Sequence, residues 1–329
     1  MTLRRFLAAA WLLLPTAALA DADFFSVRDQ NPLIRAAYLP LPMTAGTAGT
    51  AGTAGEGFAL SAGIEWSNTV NIESNAREAL VVDEETIELD LTLARSVGPW
   101  RFRATLPVMN RSAGVLDRAI NDWHRFFGLP QGARPDRARY GYAVSYTNAA
   151  GVAVAAPGGT ALGDLALEAG RVLLEHDGAS LALYAGLEAP TGERRQLTGN
   201  GALDAALWLE AGTDLGSRFA LAGRVGVSRL GGDALVPLKA RVGFGTLSLK
   251  WRATTRLEAA LQLDGHSAVA AGSSLKFLDQ AVMLTVGGRY RLDSGMVLEA
   301  GVIEDIEVAH SPDVTFHVGW RVPLGRPAR

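Results

Sequence analysis

Residues 87–93, IELDLTL, and residues 100–108, WRFRATLPV, decide the fold of this 329-residue chain. Apolar side chains alternate with charged or hydroxylated ones, which is the period-two pattern of a β-strand with two unlike faces. About a dozen segments of roughly ten residues share this pattern, as expected of a barrel with lipid outside and a polar interior. The sequence therefore predicts an all-β chain that forms a transmembrane antiparallel β-barrel.

An export signal precedes the barrel. Residues 1–20 carry two arginines, an apolar stretch over 6–14 and the small-residue ending Ala18-Leu19-Ala20, which is the layout of a cleaved signal peptide. The alternative, a retained membrane helix, is disfavoured because a spanning helix needs about 20 apolar residues. A cleaved signal followed by a barrel predicts the outer membrane of a Gram-negative bacterium.

The composition limits the possible chemistry. The chain has no cysteine and a net charge of -3, so disulfides and thiolate sites are excluded and no basic surface for nucleic acid is indicated. Its five histidines show no ligand spacing such as i, i+4. We therefore predict no metal, no cofactor and no nucleic-acid partner.

The loop lengths support a count of twelve strands. Tight connections at 96–99, 176–178, 214–216, 253–255 and 293–294 alternate with longer ones, and bacterial barrels place short turns at the periplasmic side and have an even strand number. The barrel is assigned to residues 56–329, with strands at 57–71, 80–95, 99–109, 163–175, 179–190, 202–213, 217–229, 242–252, 256–266, 280–292, 295–306 and 313–323. Strict alternation would point Arg171 at lipid, so we predict a bulge near Ala169-Gly170 that returns it to the lumen.

Two accessory segments are predicted at opposite ends of the barrel. The longest loop, 110–162, contains an amphipathic helix that ends before Gly128 and a hairpin over 140–156. We expect an extracellular cap, with Trp123, His124 and Phe127 as its characteristic residues.

The second accessory segment spans residues 21–55. Its first part is apolar enough to plug the lumen or rest at its periplasmic mouth; the alternative is a periplasmic strand or contact that aids assembly. The segment ends in a Thr-Ala-Gly repeat with the composition of a flexible linker. The predicted plug residues are Phe24, Phe25, Arg28 and Asn31.

Two stretches, SVRDQNPL at 26–33 and DWHRFFGLPQG at 122–132, resemble an uncharacterised proteobacterial family, domain of unknown function 3187. This resemblance covers most of the chain after the signal and implies no known function. Gly163-Asp164, the APTG stretch at 189–192, Gly201 and Asp204 are similar to outer-membrane channels of phenol meta-cleavage pathways. The second resemblance implies passage of small apolar compounds.

Charged residues on the predicted inner face are candidates for the lumen. We predict that Glu88 and Asp90 lie beside Arg101 and Arg103. We also predict that Arg289 and Arg291 lie between Glu258 and Asp264 on one neighbouring strand and Glu299 on the other. These charges form either a conduction path or a salt-bridged filling that keeps the barrel narrow. The lumen-facing candidates are Glu88, Asp90, Arg101, Arg103, Arg224, Glu258, Arg289, Arg291 and Glu299.

Remaining polar and aromatic residues have simpler interpretations. His266-Ser267 and His310-Ser311 end strands, and because strand neighbours point to opposite faces they are interpreted as loop-edge residues and not as catalytic pairs. A girdle at the membrane interfaces is predicted from the aromatic residues near strand ends, Trp66, Trp100, Trp251, Tyr290 and Trp320.

The leading functional hypothesis is a narrow or gated channel, or a binding protein, for small, apolar molecules. One alternative is a non-conducting structural or surface-interaction barrel, and a weaker one is a lipid-modifying enzyme; the chain is interpreted as not being an enzyme. The expected partners are outer-membrane lipids, the barrel assembly machinery by analogy with the class, and a small-molecule solute.

Overall fold

A computed structural model describes residues 24–42, 57–128, 131–232, 235–307 and 309–324. The predicted signal peptide at 1–20 and the Thr-Ala-Gly linker lie outside these residues. Twelve strands form the barrel: β1 Gly57–Ser74, β2 Glu78–Val97, β3 Trp100–Ser112, β7 Leu165–His176, β8 Ala179–Ala189, β9 Asp204–Leu215, β10 Phe219–Arg229, β11 Arg241–Arg252, β12 Leu257–His266, β13 Ala281–Arg291, β14 Val297–Asp305 and β15 Val314–Leu324. Three short strands, β4 Ala143–Asn148, β5 Ala153–Ala155 and β6 Gly159–Leu162, belong to the longest loop.

The barrel is closed by pairing of the first and last strands. Each strand runs antiparallel to its neighbour, and β15 pairs with β1 from Phe58 opposite Leu324 to Asn68 opposite Val314. Closure leaves the wall without an open edge, which a bilayer requires of a spanning sheet. The predicted fold and the count of twelve strands are confirmed.

The outer face of the wall is a belt of exposed aliphatic side chains. Leu91 on β2, for example, is 42% exposed, whereas its neighbour Asp90 is 6% exposed. Other exposed members are Leu60, Leu93, Leu167, Leu183, Leu187, Leu207, Leu209, Leu247, Leu249, Leu261, Val286 and Val318. A belt of this kind is stable only against lipid.

The predicted aromatic girdle is found at the end of the barrel that carries the tight turns. Trp100, Trp251, Tyr290 and Trp320 are exposed there. Trp66 has a different setting, because its indole N–H donates to Glu85 Oε1 at 2.7 Å near the other end.

The predicted bulge in β7 is wrong in position and consequence. Pairing with β8 is regular through Val172 and is interrupted between Val172 and Leu174, so Arg171 stays on the outer face. Its guanidinium lies 5.7 Å from the ring centroid of Trp100. This position is near the periplasmic rim, where an outward arginine costs only about 0 to 1 kcal/mol.

The β1–β2 hairpin extends beyond the barrel on the extracellular side. The two strands pair up to Ser74 opposite Ala79, so their connection is three residues and not the longer loop that we predicted. β3 pairs with β2 only from Glu85 onward, and β4 occupies the free edge of β2 over Glu78–Asp83. The predicted hairpin is confirmed as β4 and β5.

The predicted helix is also confirmed. The α-helix α1 spans Asp117–Phe127 and ends at Gly128, whose φ of 69° is the left-handed conformation that glycine adopts without strain. No helix in the described residues is long and apolar enough to cross a membrane.

Candidate functional site

Residues 24–42 run through the lumen of the barrel. Phe25 packs with Ala260, Met283 and Ile303 on β12–β14, and nearly every residue of the segment is buried. The chain turns at residues 32–37, where the Arg35 N–H donates to the Asn31 carbonyl oxygen at 2.9 Å. We call residues 24–42 the lumen segment.

Two arginines of the lumen segment bind carboxylates on β2. Arg28 Nη2 donates to Asp90 Oδ1 at 2.9 Å. Arg35 binds Glu88 with both Nε and Nη2, at 2.9 and 2.7 Å. Removing one partner of a buried pair of this kind costs about 3 to 5 kcal/mol, because the remaining charge is left without compensation.

These contacts correct the predicted pairing of Glu88 and Asp90 with Arg101 and Arg103. In the β2–β3 register Glu88 lies opposite Met109, whereas Arg103 lies opposite Ala94. The tight turn between the strands fixes that register, so the carboxylates lie near mid-barrel and the arginines near the periplasmic end. Arg101 Nη1 donates to the Gly98 carbonyl oxygen at 2.7 Å, within the turn itself.

Arg103 and Arg224 hold the end of the lumen segment. Arg103 donates to the carbonyl oxygens of Leu41 and Pro42 at 2.6 and 2.7 Å, and it also pairs with Glu168. Arg224 Nη1 donates to the Pro40 carbonyl oxygen at 2.7 Å. Two wall cations therefore bind backbone carbonyl oxygens of the segment.

The predicted pairing around Arg289 is confirmed on β14. Arg289 Nε donates to Glu299 Oε2 at 2.9 Å, and its guanidinium lies 4.6 Å from the ring centroid of Phe25. Glu258 is the register partner of Arg289 on β12. The prediction fails for Asp264, which lies opposite Met283 and accepts a hydrogen bond from Thr246. It also fails for Arg291, which is exposed at the end of β13.

Several site residues were missed or misinterpreted from the sequence. His266 is buried, not a loop-edge residue, and its Nε2 lies 3.1 Å from Asp29 Oδ2. The Tyr38 hydroxyl donates to Glu168 at 3.1 Å. Gln262 accepts from the Phe25 N–H at 2.8 Å and donates to the Phe25 carbonyl oxygen at 3.0 Å. Alternation places Glu168 and Gln262 inward, but their partners depend on the path of the lumen segment.

An apolar cluster fills part of the extracellular half of the lumen, next to buried polar groups such as Asp204 and the His266–Asp29 pair. Leu33 and Ile34 of the lumen segment share a core with Trp208 and Phe244. Tyr184 stacks on Trp208 with ring centroids 5.5 Å apart. The mouth is covered by hairpin β4–β5 and by two loops, through Val144, Tyr146, Val154, Val236, Val269 and Phe277.

Helix α1 does not cover the mouth, contrary to the prediction. Asp117 at its start accepts from Asn68 Nδ2 at 3.0 Å. Asn68 lies on the same face of β1 as Trp66, whose register partners Ile87 and Phe316 are exposed on the outer face. The helix is therefore anchored to the outer face of the extended hairpin.

The three predicted cap residues have different environments within α1. Trp123 is 55% exposed and His124 is buried, while Phe127 ends the helix. Neither Trp123 nor His124 belongs to the apolar cluster of described residues that covers the mouth.

The remaining motifs have structural partners. Asp164 Oδ1 accepts from the Gly192 N–H at 2.6 Å, and Thr191 donates to the Gly163 carbonyl oxygen at 2.9 Å. These residues of the channel-like motif therefore hold two loops together. Ser267 Oγ accepts from the Gly243 N–H, whereas the ring of neighbouring His266 faces Asp29 in the lumen. Across the described ranges, no three His, Cys, Asp or Glu side chains form a group that could hold a metal ion.

The sequence matches a family described as a protein of unknown function, DUF3187, over residues 8–323. The chain belongs to the DUF3187 family. No curated protein matches this DUF3187 chain at a significant level.

Three solved structures are similar to this chain. The COG4313 outer membrane channel from Pseudomonas putida F1 has a TM-score of 0.56 at 11% identity, over 86% of this chain and 100% of the other. The NanC porin has a TM-score of 0.46 at 8% identity, over 81% and 100% of the two chains. The CymD monoaromatic hydrocarbon channel has a TM-score of 0.40 at 12% identity, over 83% and 90%. At 11% identity the likeness to the COG4313 channel shows the fold.

Proposed function

We propose that this DUF3187 protein is a narrow, gated channel of the outer membrane for small apolar molecules. The observation that carries the proposal is that the lumen segment, with a turn at 32–37, occupies the barrel from Arg103 near the periplasmic end to the apolar cluster at the extracellular mouth. In the state described, the lumen is closed. The likeness to an outer-membrane channel supports this choice within the fold class.

The contacts of the lumen segment are compatible with its displacement. Its ion pairs with Glu88 and Asp90, and the hydrogen bonds to its carbonyl oxygens, involve groups that water can solvate once the segment leaves. Displacement also removes Leu33 and Ile34 from the apolar cluster, so the opening that we propose needs a solute that takes their place beside Trp208 and Phe244. The wall itself needs no segment to close, because its strands pair all the way around.

We infer the apolar solute class from the apolar cluster in the extracellular half of the lumen. The space beside Trp208 and Phe244 is occupied by Leu33, Ile34 and Tyr38. A solute that replaces these side chains meets an apolar and aromatic surface, which is the usual lining of a small-molecule site.

Deletion of residues 24–42 tests the proposal. The deletion variant should still form a heat-modifiable barrel that inserts into the membrane. Its single-channel conductance in planar bilayers should be higher than that of the intact protein. A double variant, Arg28→Gln with Arg35→Gln, should raise the frequency of open events, because it removes the ion pairs to β2. The matched control, Arg118→Gln with Arg125→Gln on α1, removes exposed pairs to Asp122 and should have no effect.

One outcome contradicts the channel. A correctly folded deletion variant with the same closed baseline as the intact protein would favour the rival function, a non-conducting structural barrel.

A further inference from the structure

The outer wall of the barrel has a hollow on its lipid-facing side. A cavity of about 710 Å³ lies against β2, β3 and β7–β9, and its lining is mostly apolar. Its volume is within the range of about 300 to 1,000 Å³ that is typical of small-molecule sites.

Small side chains create this hollow. Ala169 on β7 and Ala185 on β8 are register partners on the outer face, in the same alternation as exposed Leu167 and Leu187. Ala104 and Ala205 widen the space on either side. Single alanines such as Ala211 and Ala300 are also exposed elsewhere on the outer wall, but the lining of the hollow brings together four alanines from β3 and β7–β9.

One outward arginine lines the hollow and a second lies just beyond its periplasmic end. Arg95, on the wall of the hollow, has its guanidinium 4.8 Å from the ring centroid of Phe58. Arg171 follows Ala169 by two residues on the same face and lies over Trp100. Both side chains are exposed, and both contact an aromatic ring. Their level is that of the lipid head groups, since the tight turns follow within a few residues.

We propose that the hollow is a binding site for one glycerophospholipid with an anionic head group in the periplasmic leaflet. The guanidinium of Arg95 binds the phosphate, because arginine offers several N–H donors in a planar fork that matches phosphate oxygens, and Arg171 adds a second positive charge nearby. An acyl chain extends from this rim toward the membrane centre and fills the space over Ala169 and Ala185. The charge of the rim and the apolar lining above it match the two parts of that ligand.

Native mass spectrometry of the full-length protein in detergent tests the site. Titration with phosphatidylglycerol should yield one retained lipid per barrel, with weaker retention of phosphatidylcholine, whose head group carries no net charge. The variant Arg95→Gln with Arg171→Gln should weaken phosphatidylglycerol retention about tenfold, which corresponds to about 1.4 kcal/mol. Ala169→Leu with Ala185→Leu should weaken retention of both lipids, because leucine fills the hollow.

Matched variants control for general effects on the membrane surface. Arg229→Gln with Arg241→Gln removes two arginines that face each other across β10 and β11 at the opposite rim, and Ala300→Leu fills an exposed outward position on β14. Both should retain the lipid as the unaltered protein does. Equal retention by all variants would overturn the proposal, and so would a dimer that carries no lipid, since a second copy would then be the occupant of the hollow.

Discussion

Neighbouring residues on β2 face opposite environments. Leu91 is exposed on the outer wall, whereas Asp90 is buried and binds Arg28 in the lumen. We predict that Leu91→Arg blocks stable assembly, since an arginine facing lipid at mid-membrane costs about 2 to 4 kcal/mol. Asp90→Asn should still assemble, because the amide oxygen can accept from Arg28 and Arg28 keeps a carboxylate partner in Glu88, 3.6 Å away. The yield of folded barrel for each variant can be measured from heat-modifiable gel mobility in outer-membrane fractions. Equal yields for the two variants would contradict the assignment of Leu91 to the outer face and Asp90 to the lumen.

For single residues, the sequence predicts the face on which a side chain lies better than it predicts the residue that the side chain contacts. Strand alternation has a period of two, so it correctly places Glu88, Arg103 and Arg289 inward. The partners of Glu88 depend on the lumen segment, more than 50 residues earlier in the chain, and no local periodicity encodes that approach. The partner of Arg289 was predictable because adjacent strands joined by a tight turn have only one register.

Among the elements, the extended β1–β2 hairpin depends on one carboxylate at its tip. Glu78 lies before the part of β2 that pairs with β3, and it accepts from the Ser274 N–H and from the hydroxyls of Ser273 and Tyr146. Partial burial alone would raise the pKa of Glu78, but these hydrogen bonds outweigh it and lower the pKa to about 2. A lowered pKa means that the ionised form stabilises the folded hairpin at pH values above the ordinary value of 4.5, and that this stabilisation is lost as the pH falls toward 2.

We therefore predict a pH-dependent loosening of the mouth at this hairpin. Hydrogen exchange of the amides in β4 should increase as the pH falls from about 5 to 2, after correction for the intrinsic exchange rate. In Glu78→Gln, exchange in β4 should be faster at pH 7 and should depend less on pH. A Glu307→Gln variant serves as the control, because this side chain is exposed in a separate loop. If Glu78→Gln follows the pH profile of the unaltered protein, the hydrogen bonds of Glu78 do not hold the hairpin.

The elements themselves differ in how far the sequence could predict them. The twelve strands, α1 and the β4–β5 hairpin follow from periodicity and turn residues. The position of α1 could not be predicted, because its amphipathic pattern indicates that one helix face is covered but not which part of the protein covers it. The contacts of Glu85 with Trp66 and with the amides of Val115 and Leu116, which hold the start of α1 against the hairpin, are polar and nonlocal.

At the scale of the whole molecule, the strand order assigns a side of the membrane to every loop. Gly132, Gly272 and Gly216 each have a positive φ, and a β-carbon at any of the three would have no heavy atom of the described residues within 4 Å, so a short protease site should be tolerated at each. Gly132 and Gly272 lie in long loops, and Gly216 lies in the tight turn between β9 and β10. Because short turns face the periplasm, protease added to intact cells should cleave at the first two positions only. Cleavage at Gly216 should require a permeabilised outer membrane, and cleavage there in intact cells would show that the barrel has the opposite orientation.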